Sequence, residues 1–359
     1  MNKEKNIRYV PVVDKDQKPL MPTTPRKARL LVKSKQATYF FKNGIYCIRL
    51  NYDPETKIVQ PIVVGIDPGS KREGFTLKSK AHTYLNIQLH AVDWIKERIE
   101  TRRNLRKSRR YRKTPYRACR LNRGALKSIN RLAPSTKARW NAKLRLCKKL
   151  VKIFPITDYI VEDIKAKTKK GNNQKKWNQS FSPLENGKKW FYEELEKMGT
   201  LHLKQGFDTH TMREALGLKK DKKNKLSNSF DAHCVDSWVL ANSISEGHTI
   251  PDNKTLLEMK QLEFHRRQLH EQLPKKGGIR KQYGSTRSLG FQRGSLVFHK
   301  SSTRAKSYGL CLIGGTSKGL ITLVDKNCFE KQDRLTERAK KEDIKHVAYN
   351  NYTVRYVNN

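Results

Sequence analysis

Blocks of alternating apolar and polar positions along this chain predict its helices and strands. The first block predicts a short basic helix at Arg26–Lys35, with two threonines and a proline before it as capping signals. Two β-rich runs follow, Ala37–Phe41 and Ile45–Leu50. They are separated by Asn43-Gly44, the strongest short signal for a β-hairpin. The chain therefore begins with a small mixed module.

A continuous apolar run, Ile62–Ile66, ends at Asp67 and a Pro-Gly turn. A short apolar run bounded by turn residues is typical of a buried central strand. Two further strand-like segments follow at Glu73–Ser79 and Ala81–Asp93. Together the three segments predict an antiparallel meander.

The middle of the chain alternates between helical and strand-like periodicity. The predicted helices are Trp94–Lys113, Ser135–Phe154, Asn186–Met198, Thr209–Leu216 and Ser229–Ile244, and the predicted strands are Thr157–Ile164 and Thr200–Gln205. Pro251–His270 is expected to be a charged connector, partly helical. Strand signals at Gly294–Phe298, Tyr308–Ile313 and Leu320–Val324 predict a small basic β-domain at the end of the sequence.

The net charge of the chain limits the kinds of partner that it is expected to bind. The 359 residues include 77 lysines and arginines against 33 acids, giving a formal net charge of +44. Such a chain repels itself unless a polyanion neutralises it, and nucleic acid gains affinity from counterion release. No acid occurs from Thr101 to Thr157, and Arg102–Arg123 holds eleven arginines and lysines. The helix predicted at Trp94–Lys113 overlaps this tract and is polar on nearly every face. It is therefore expected to bridge modules or to lie in a nucleic-acid groove.

Other compartments and site types are disfavoured. No segment has the apolar length of a membrane span, and Met1–Val10 lacks the apolar region of a signal peptide. The six cysteines are scattered without a CxxC pair, which argues against a zinc ribbon and a disulfide framework. An intracellular protein without a membrane partner is expected.

Three carboxylates and a histidine are the candidate chemistry. Asp67 ends the first buried strand, Glu162 ends another, and His233 and Asp236 share a helix face at i, i+3 spacing. Buried carboxylates are costly unless a cation binds them, and hard oxygen ligands favour Mg²⁺ or Mn²⁺. Two such ions can clamp the attacking and leaving oxygens of a phosphodiester, with His233 orienting or deprotonating the water.

Several of the candidate residues also have a plainer interpretation. Asp67 before Pro-Gly can be a simple turn residue. Asp163 can replace Glu162, because neighbouring strand residues point to opposite faces and only one can reach the site. Asp231 can act as a helix N-cap rather than a ligand.

The motifs resemble those of RuvC-type nucleases. The stretch Val64–Arg72 is similar to the first motif, Tyr159–Lys165 to the second and His233–Asp236 to the third. The arginines between Arg102 and Arg110 resemble a bridge helix. Pro19-Leu20-Met21-Pro22 looks like the N-terminal module of the transposon-encoded IscB and IsrB proteins.

One departure distinguishes these two families. IscB proteins carry an HNH nuclease between the second and third RuvC motifs, whereas about 70 residues separate Glu162 from Asp236 and Lys165–Gly199 lacks His and Cys. An HNH site needs a histidine base and metal ligands. The chain therefore resembles the HNH-lacking IsrB family.

That resemblance implies a function. It implies an RNA-guided DNA nickase that holds a structured, transposon-encoded guide RNA and cuts the displaced strand of a double-stranded target. Asp67, Glu162 and Asp236 would bind Mg²⁺, for which Mn²⁺ can substitute, and His233 would complete the catalytic set. The expected nucleic-acid-binding arginines are Arg102, Arg103, Arg106, Arg109, Arg110, Arg112, Arg117 and Arg120.

The fold class expected is α/β, with an RNase H-like core, an inserted bridge helix and basic β-rich C-terminal residues. The predicted division is an N-terminal module at 1–60, RuvC parts at 61–93 and 126–250, the bridge helix at 94–125, and at 251–359 a connector with a domain that reads a motif flanking the target. A single copy in a ribonucleoprotein is expected. The rival hypotheses are a guide-independent RuvC-like nuclease and a non-catalytic RNA-binding protein.

Overall fold

Two compact units make up the protein. The computed structural model describes residues 7–111, 132–163, 183–221, 227–262, 269–270, 282–283, 287–300, 308–327 and 334–357. The terminal unit comprises Met1–Val59, Ile87–Leu89 and Asn253–Asn359, and the core unit comprises Gln60–Asn86 and His90–Asp252. The finer functional division expected from the sequence stays a prediction.

The N-terminal part of the terminal unit is a four-stranded sheet with one helix. Its elements are β1 (Val10–Val13), β2 (Pro19–Thr23), α1 (Pro25–Lys33), β3 (Ala37–Lys42) and β4 (Ile45–Leu50), with the strands in the order β2-β1-β4-β3. The side chain of Thr24 accepts a hydrogen bond from the Lys27 amide and caps α1. Asn43 and Gly44 both have positive φ, as a tight hairpin turn requires. The helix and hairpin predicted here are confirmed.

The C-terminal part of the terminal unit consists of strands in its described residues. They are β10 (Leu256–Gln261), β11 (Leu269–His270), β12 (Gln282–Tyr283), β13 (Arg287–Ser288), β14 (Phe291–Gln292), β15 (Leu296–His299), β16 (Gly309–Ser317), β17 (Leu320–Asp325), β18 (Arg334–Ala339), β19 (Ile344–Ala348) and β20 (Tyr352–Val357). Five of them form an antiparallel sheet in the order β18-β17-β16-β15-β19. Its core includes Val297, Ile313 and Leu323. The strands predicted in this region are present.

The predicted partly helical connector at Pro251–His270 is wrong for its described residues. Leu256–Gln261 is a strand, β10, that pairs antiparallel with β20. Leu256, Leu257 and Met259 are fully buried, and the carboxylate of Glu258 accepts hydrogen bonds from Arg355 on β20. The partner strand is almost one hundred residues away in sequence, so local periodicity could not reveal it.

The core unit contains five strands and six helices among its described residues. They are β5 (Ile62–Asp67), β6 (Arg72–Lys78), β7 (Thr83–His90), α2 (Ile95–Arg110), α3 (Pro134–Leu150), β8 (Ile156–Glu162), α4 (Pro183–Glu196), β9 (Thr200–Lys204), α5 (Gly206–Ala215), α6 (Phe230–His233) and α7 (Val235–Ser245). Each lies where the sequence predicts an element, with the ends shifted by a few residues.

The strands of the core unit lie in the order β7-β6-β5-β8-β9. β6 runs antiparallel to β5, whereas β8 is parallel to β5 and β9 is parallel to β8. Apolar residues of β5, β8 and α7, among them Val63, Ile160 and Leu240, form one buried cluster. This mixed α/β sheet agrees with the RNase H-like core expected from the sequence.

The helix predicted as continuous over Ser229–Ile244 is interrupted. It divides at Cys234, whose φ of −111° and ψ of −7° depart from helical values, into α6 and α7. Ser229, and not Asp231, caps the first piece, because the Ser229 hydroxyl accepts a hydrogen bond from the Ala232 amide. The capping role considered for Asp231 is therefore wrong.

The cysteines behave as small core residues where they are described. Cys47, Cys147, Cys234 and Cys311 are buried free thiols. Burial raises the pKa of the Cys47 and Cys147 thiols to about 12. In the described parts of the chain, no helix has the length and apolar character needed to cross a membrane.

Two glycines let α6 and α7 lie directly on the sheet. A Cβ atom at Gly65 would meet the Ser237 carbonyl oxygen at 1.9 Å, and one at Gly74 would meet the His233 carbonyl oxygen at 2.0 Å. Both separations are far below van der Waals contact, and both neighbours are backbone atoms that cannot rotate away. Glycine at Gly65 and Gly74 therefore sets the distance between sheet and helix.

We expect Gly65→Ala to destabilise the protein by about 3 kcal/mol, because the added methyl group must push α7 away from β5. Thermal unfolding should show a clear fall in melting temperature. Gly315→Ala is the matched control, since nothing lies within 4 Å of a Cβ atom there. Equal melting temperatures for the two variants would contradict this account of the packing.

Candidate active site

Asp67 and Glu162 stand side by side at one edge of the core sheet. Asp67 is the last residue of β5 and Glu162 the last residue of β8. These strands are parallel and neighbouring, and Ile66 is in register with Val161. The two carboxylates thus follow paired residues and meet at the carboxyl ends of the strands.

Asp236 reaches the same place from α7. It is the second residue of that helix and is 5% exposed. The close approach at Gly65 and Gly74 brings the start of α7 onto β5 and β6, beside Asp67. The beginning of α5 also adjoins the site, since a Cβ atom at Gly206 would lie 2.9 Å from Glu162 Oε1.

Lys220 joins two of the three carboxylates. Its Nζ donates to Asp236 Oδ2 at 2.5 Å and to Asp67 Oδ2 at 3.1 Å. Burial lowers the pKa of Lys220, but the charges of Asp67 and Asp236 and the hydrogen bonds to them outweigh it, so its pKa lies above the ordinary value. Lys220 is therefore a charged member of the site.

Arg213 holds the other oxygen of Asp236. Its Nη1 donates to Asp236 Oδ1 at 2.6 Å, and its Nη2 lies 2.8 Å from His210 Nδ1. The Arg213 side chain is buried, so this ion pair is shielded from water. The sequence interpretation missed Lys220 and Arg213, because nothing local distinguishes them from the other basic residues of the chain.

The carboxyl of Glu162 has a raised pKa. Burial raises the pKa of its carboxyl to about 8, and the charge of Asp67, a hydrogen bond with Asp67 and the charge of Asp236 act in the same direction, while Lys220 opposes them. A carboxyl that keeps its proton near neutral pH marks a place where a further cation would be stabilising.

His233 lies beside this cluster. Its ring is partly buried, and its Nε2 is buried with no hydrogen-bond partner among the described residues. Burial lowers the pKa of His233, and the positive charges of Lys220 and Arg72 act in the same direction. The imidazole is thus neutral at ordinary pH and has a ring nitrogen free to accept a proton.

The contacts of Asp163 disfavour the alternative that it replaces Glu162 in the site. Asp163 accepts hydrogen bonds from Lys188 Nζ at 2.6 Å and from the Tyr192 hydroxyl at 3.0 Å, both on α4. Glu162 instead contacts Asp67. Asp231 is exposed. Of the candidate acids, Asp67, Glu162 and Asp236 come together, and Asp163 and Asp231 do not join them.

The arginine-rich helix is exposed along almost its whole length. Among the described side chains of α2, only Ile95 is buried, against Val92 and Ala142, and those of Arg102, Arg103 and Arg106 are exposed. Arg109 and Arg110 belong to the same helix. Their side chains, and the whole of Arg112, Arg117 and Arg120, lie outside the described residues.

The three acids suit a divalent cation by donor type. Carboxylate oxygens are the ligands that Mg²⁺ and Mn²⁺ prefer, and the unpartnered Nε2 of His233 lies in a polar surrounding beside them. Within the described ranges, no group of three or more acidic, histidine or cysteine side chains has the arrangement of a metal site. The ammonium of Lys220 lies between Asp67 and Asp236.

Part of the chain is similar to a known protein family. Residues 10–180 match the family model described as RRXRR protein. This is just under half of the sequence. Among solved structures, T. thermophilus RuvC in complex with a Holliday junction substrate is 11% identical, covers 52% of this chain and 97% of its own, and has a TM-score of 0.28. A superposition this loose carries no argument about this chain. No curated protein matches the sequence.

The raised pKa of Glu162 predicts a pH dependence of stability. The folded state keeps the proton up to about pH 8, whereas the unfolded chain releases it near pH 4.5. Glu162 therefore stabilises the fold fully at low pH, and this contribution is lost as the pH rises from about 4.5 to about 8.

We expect Glu162→Gln to melt like wild type near pH 5 and at a higher temperature near pH 8.5 in metal-free buffer. Thermal melts across this range measure the difference. Glu196→Gln, at an exposed position at the end of α4, is the control and should follow wild type throughout. A Glu162→Gln difference that does not change with pH would show that the carboxyl is ionised in the fold.

Proposed function

We propose that this protein is a metal-dependent DNA nuclease whose active centre is built from Asp67, Glu162, His233 and Asp236. The observation that carries the proposal is a cluster of three carboxylates from two parallel strand ends and a helix, in which the Lys220 ammonium contacts Asp67 and Asp236 and the Glu162 carboxyl contacts Asp67. Acids that repel one another in a partly buried place need a cation. In a chain of net charge +44, the substrate that such a cation would serve is a nucleic acid.

Each acid has a definite part in this proposal. Asp67, Glu162 and Asp236 would hold Mg²⁺, or Mn²⁺ in its place. Such an ion supplies Lewis acidity toward the scissile phosphate and lowers the pKa of a bound water. Arg213 fixes Asp236 through Oδ1 and leaves Oδ2 facing the site, where Lys220 now contacts it.

His233 is suited to the proton-transfer step. Its pKa is held below the ordinary value, so the ring is unprotonated at neutral pH. Its buried Nε2 has no partner among the described residues and can accept a proton from the attacking water. Asp67 lies close enough to stabilise the imidazolium that results.

The finer proposal is an RNA-guided nickase of the IsrB type. The motif resemblance carries it, and the match to the RRXRR protein model, a family associated with IscB- and IsrB-like proteins, supports it over residues 10–180. The exposed arginines of α2 would bind RNA phosphates, which gives affinity without sequence choice. Sequence reading would be left to base pairing between guide and target.

A single centre determines the product. With no HNH signature between Glu162 and His233, one strand is cut, and we propose that it is the strand displaced by the guide. The basic β-rich domain within residues 251–359 would read a short motif flanking the target. Which residues read it is left open by this proposal.

The test is nicking of supercoiled plasmid by the protein purified together with the RNA expressed from its own locus. The plasmids carry a target matching the guide and a randomised flanking segment. We expect Mg²⁺-dependent nicking by wild type and by Asp231→Asn, an exposed acid on α6. Asp67→Ala and Asp236→Asn should reduce nicking to background while retaining RNA.

Three results would contradict parts of the proposal. Metal-dependent cleavage by Asp67→Ala would remove the active-site assignment. Nicking unchanged after the RNA is digested would favour a guide-independent RuvC-like nuclease. Failure of wild type to nick any plasmid in the library, with RNA bound and Mg²⁺ present, would favour a non-catalytic RNA-binding protein.

A further inference from the structure

Lys220 makes contacts that a surface lysine does not make. Its side chain is 23% exposed and its ammonium lies between two aspartates, 2.5 Å from Asp236 Oδ2 and 3.1 Å from Asp67 Oδ2. The adjacent Lys219 is exposed. Of these two neighbouring lysines, Lys220 is thus the one whose ammonium lies between two carboxylates.

Lys220 contacts one oxygen of each aspartate, the Oδ2 atoms of Asp67 and Asp236. Oδ1 of Asp236 is already held by Arg213, so Oδ2 is the oxygen left for any other cation. A divalent ion bound by Asp67 and Asp236 would need the space that the Lys220 ammonium fills. The two cations are mutually exclusive at this point.

We propose that Lys220 is an internal cation that holds the carboxylate cluster together and must be displaced before a divalent metal ion can bind. The inference rests on the proposed function, since it assumes that Asp67 and Asp236 are metal ligands. The inference adds Lys220 to that site. Competition between its ammonium and the metal ion would then set how tightly the metal binds.

The backbone around Lys220 permits this exchange without rearrangement of the helices. The Leu218 amide donates to the Arg213 carbonyl oxygen at 3.1 Å, and the Asp221 amide donates to the Asp231 carbonyl oxygen at 3.0 Å. Both ends of the short connection are therefore pinned. The flexible four-carbon stem of a lysine can still move its ammonium by several ångströms.

Arg213 differs from Lys220 in a way that separates their roles. The Arg213 side chain is 6% exposed and also contacts His210, so it is enclosed and doubly held. It stays on the outer oxygen of Asp236 and positions that carboxylate. Lys220, more exposed and on the inner oxygens, is the cation that can leave.

The competition has a measurable consequence. While Lys220 fills the cluster, the state competent for metal is only a fraction of the molecules, and the observed affinity is reduced by that fraction. Replacing the ammonium by a neutral side chain removes the competitor. It also leaves Asp67, Glu162 and Asp236 facing one another without this cation, so the metal-free protein should become less stable.

The experiment measures Mn²⁺ binding to the RNA-free chain, from the loss of the free-ion signal in electron paramagnetic resonance. We expect Lys220→Met to bind Mn²⁺ about tenfold more tightly than wild type, with Lys220→Gln behaving alike. Lys219→Met, which removes the same charge one residue away, should match wild type. Asp67→Asn should lose the site in every background.

Melting curves give a second readout of the same idea. Without metal, Lys220→Met should melt below wild type, and saturating Mn²⁺ should raise its melting temperature more than that of wild type. This measurement also reports directly whether Lys220→Met and Lys220→Gln are folded.

The outcomes separate the inference from the proposed function. Equal or weaker Mn²⁺ binding by Lys220→Met and Lys220→Gln, with a site that Asp67→Asn removes, would overturn the role of Lys220 and leave the metal site standing. If no variant shows a Mn²⁺ site that depends on Asp67, the inference falls together with the proposed metal centre.

Discussion

The close approach of α7 and α6 to the sheet is the constraint on which the site depends. Helix backbone lies where the Cβ atoms of residues 65 and 74 would be, so glycine at Gly65 and Gly74 is a geometric requirement. With a wider separation, the carboxylate of Asp236 would lie too far from Asp67 for the Lys220 ammonium to contact both. Packing of the core unit and formation of the acid cluster are thus one property of the fold.

That packing brings carboxylates close together, and basic side chains of the same chain offset their repulsion. Asp67 and Glu162 end adjacent parallel strands, so the sheet places like charges together, and α7 adds a third. Burial raises the pKa of Glu162, and the charges of Asp67 and Asp236 raise it further. Arg213 offsets the repulsion from the outside and Lys220 from within. In our proposal, a cluster balanced in this way exchanges an internal ammonium for a metal ion while its backbone stays in place.

The sequence predicted those parts of the fold that short-range chemistry determines. Thr24 at a helix start, the Asn43-Gly44 turn and the apolar run before Asp67 each have a local physical cause, and the structure has an element at each. Strand ends and helix spacing single out Asp67, Glu162 and Asp236 as candidates, and the motif resemblance joins them into one site. Their meeting in space could not be read from periodicity alone.

The parts that escaped prediction depend on distant partners. β10 is a strand because β20 pairs with it, and Lys220 belongs to the site because Asp67, far earlier in the chain, lies beside it. The division of the last predicted helix at Cys234 follows from no composition signal in Ser229–Ile244. No local sequence signal distinguishes Lys220 from the many other lysines of the chain.

The most direct test of the central claim is anomalous diffraction from crystals of this protein soaked in Mn²⁺. The account predicts an anomalous peak enclosed by the carboxylates of Asp67, Glu162 and Asp236, with the Lys220 ammonium turned out of the cluster. A map with Lys220 still between Asp67 and Asp236, and no peak there at Mn²⁺ concentrations that support DNA cleavage, would contradict it.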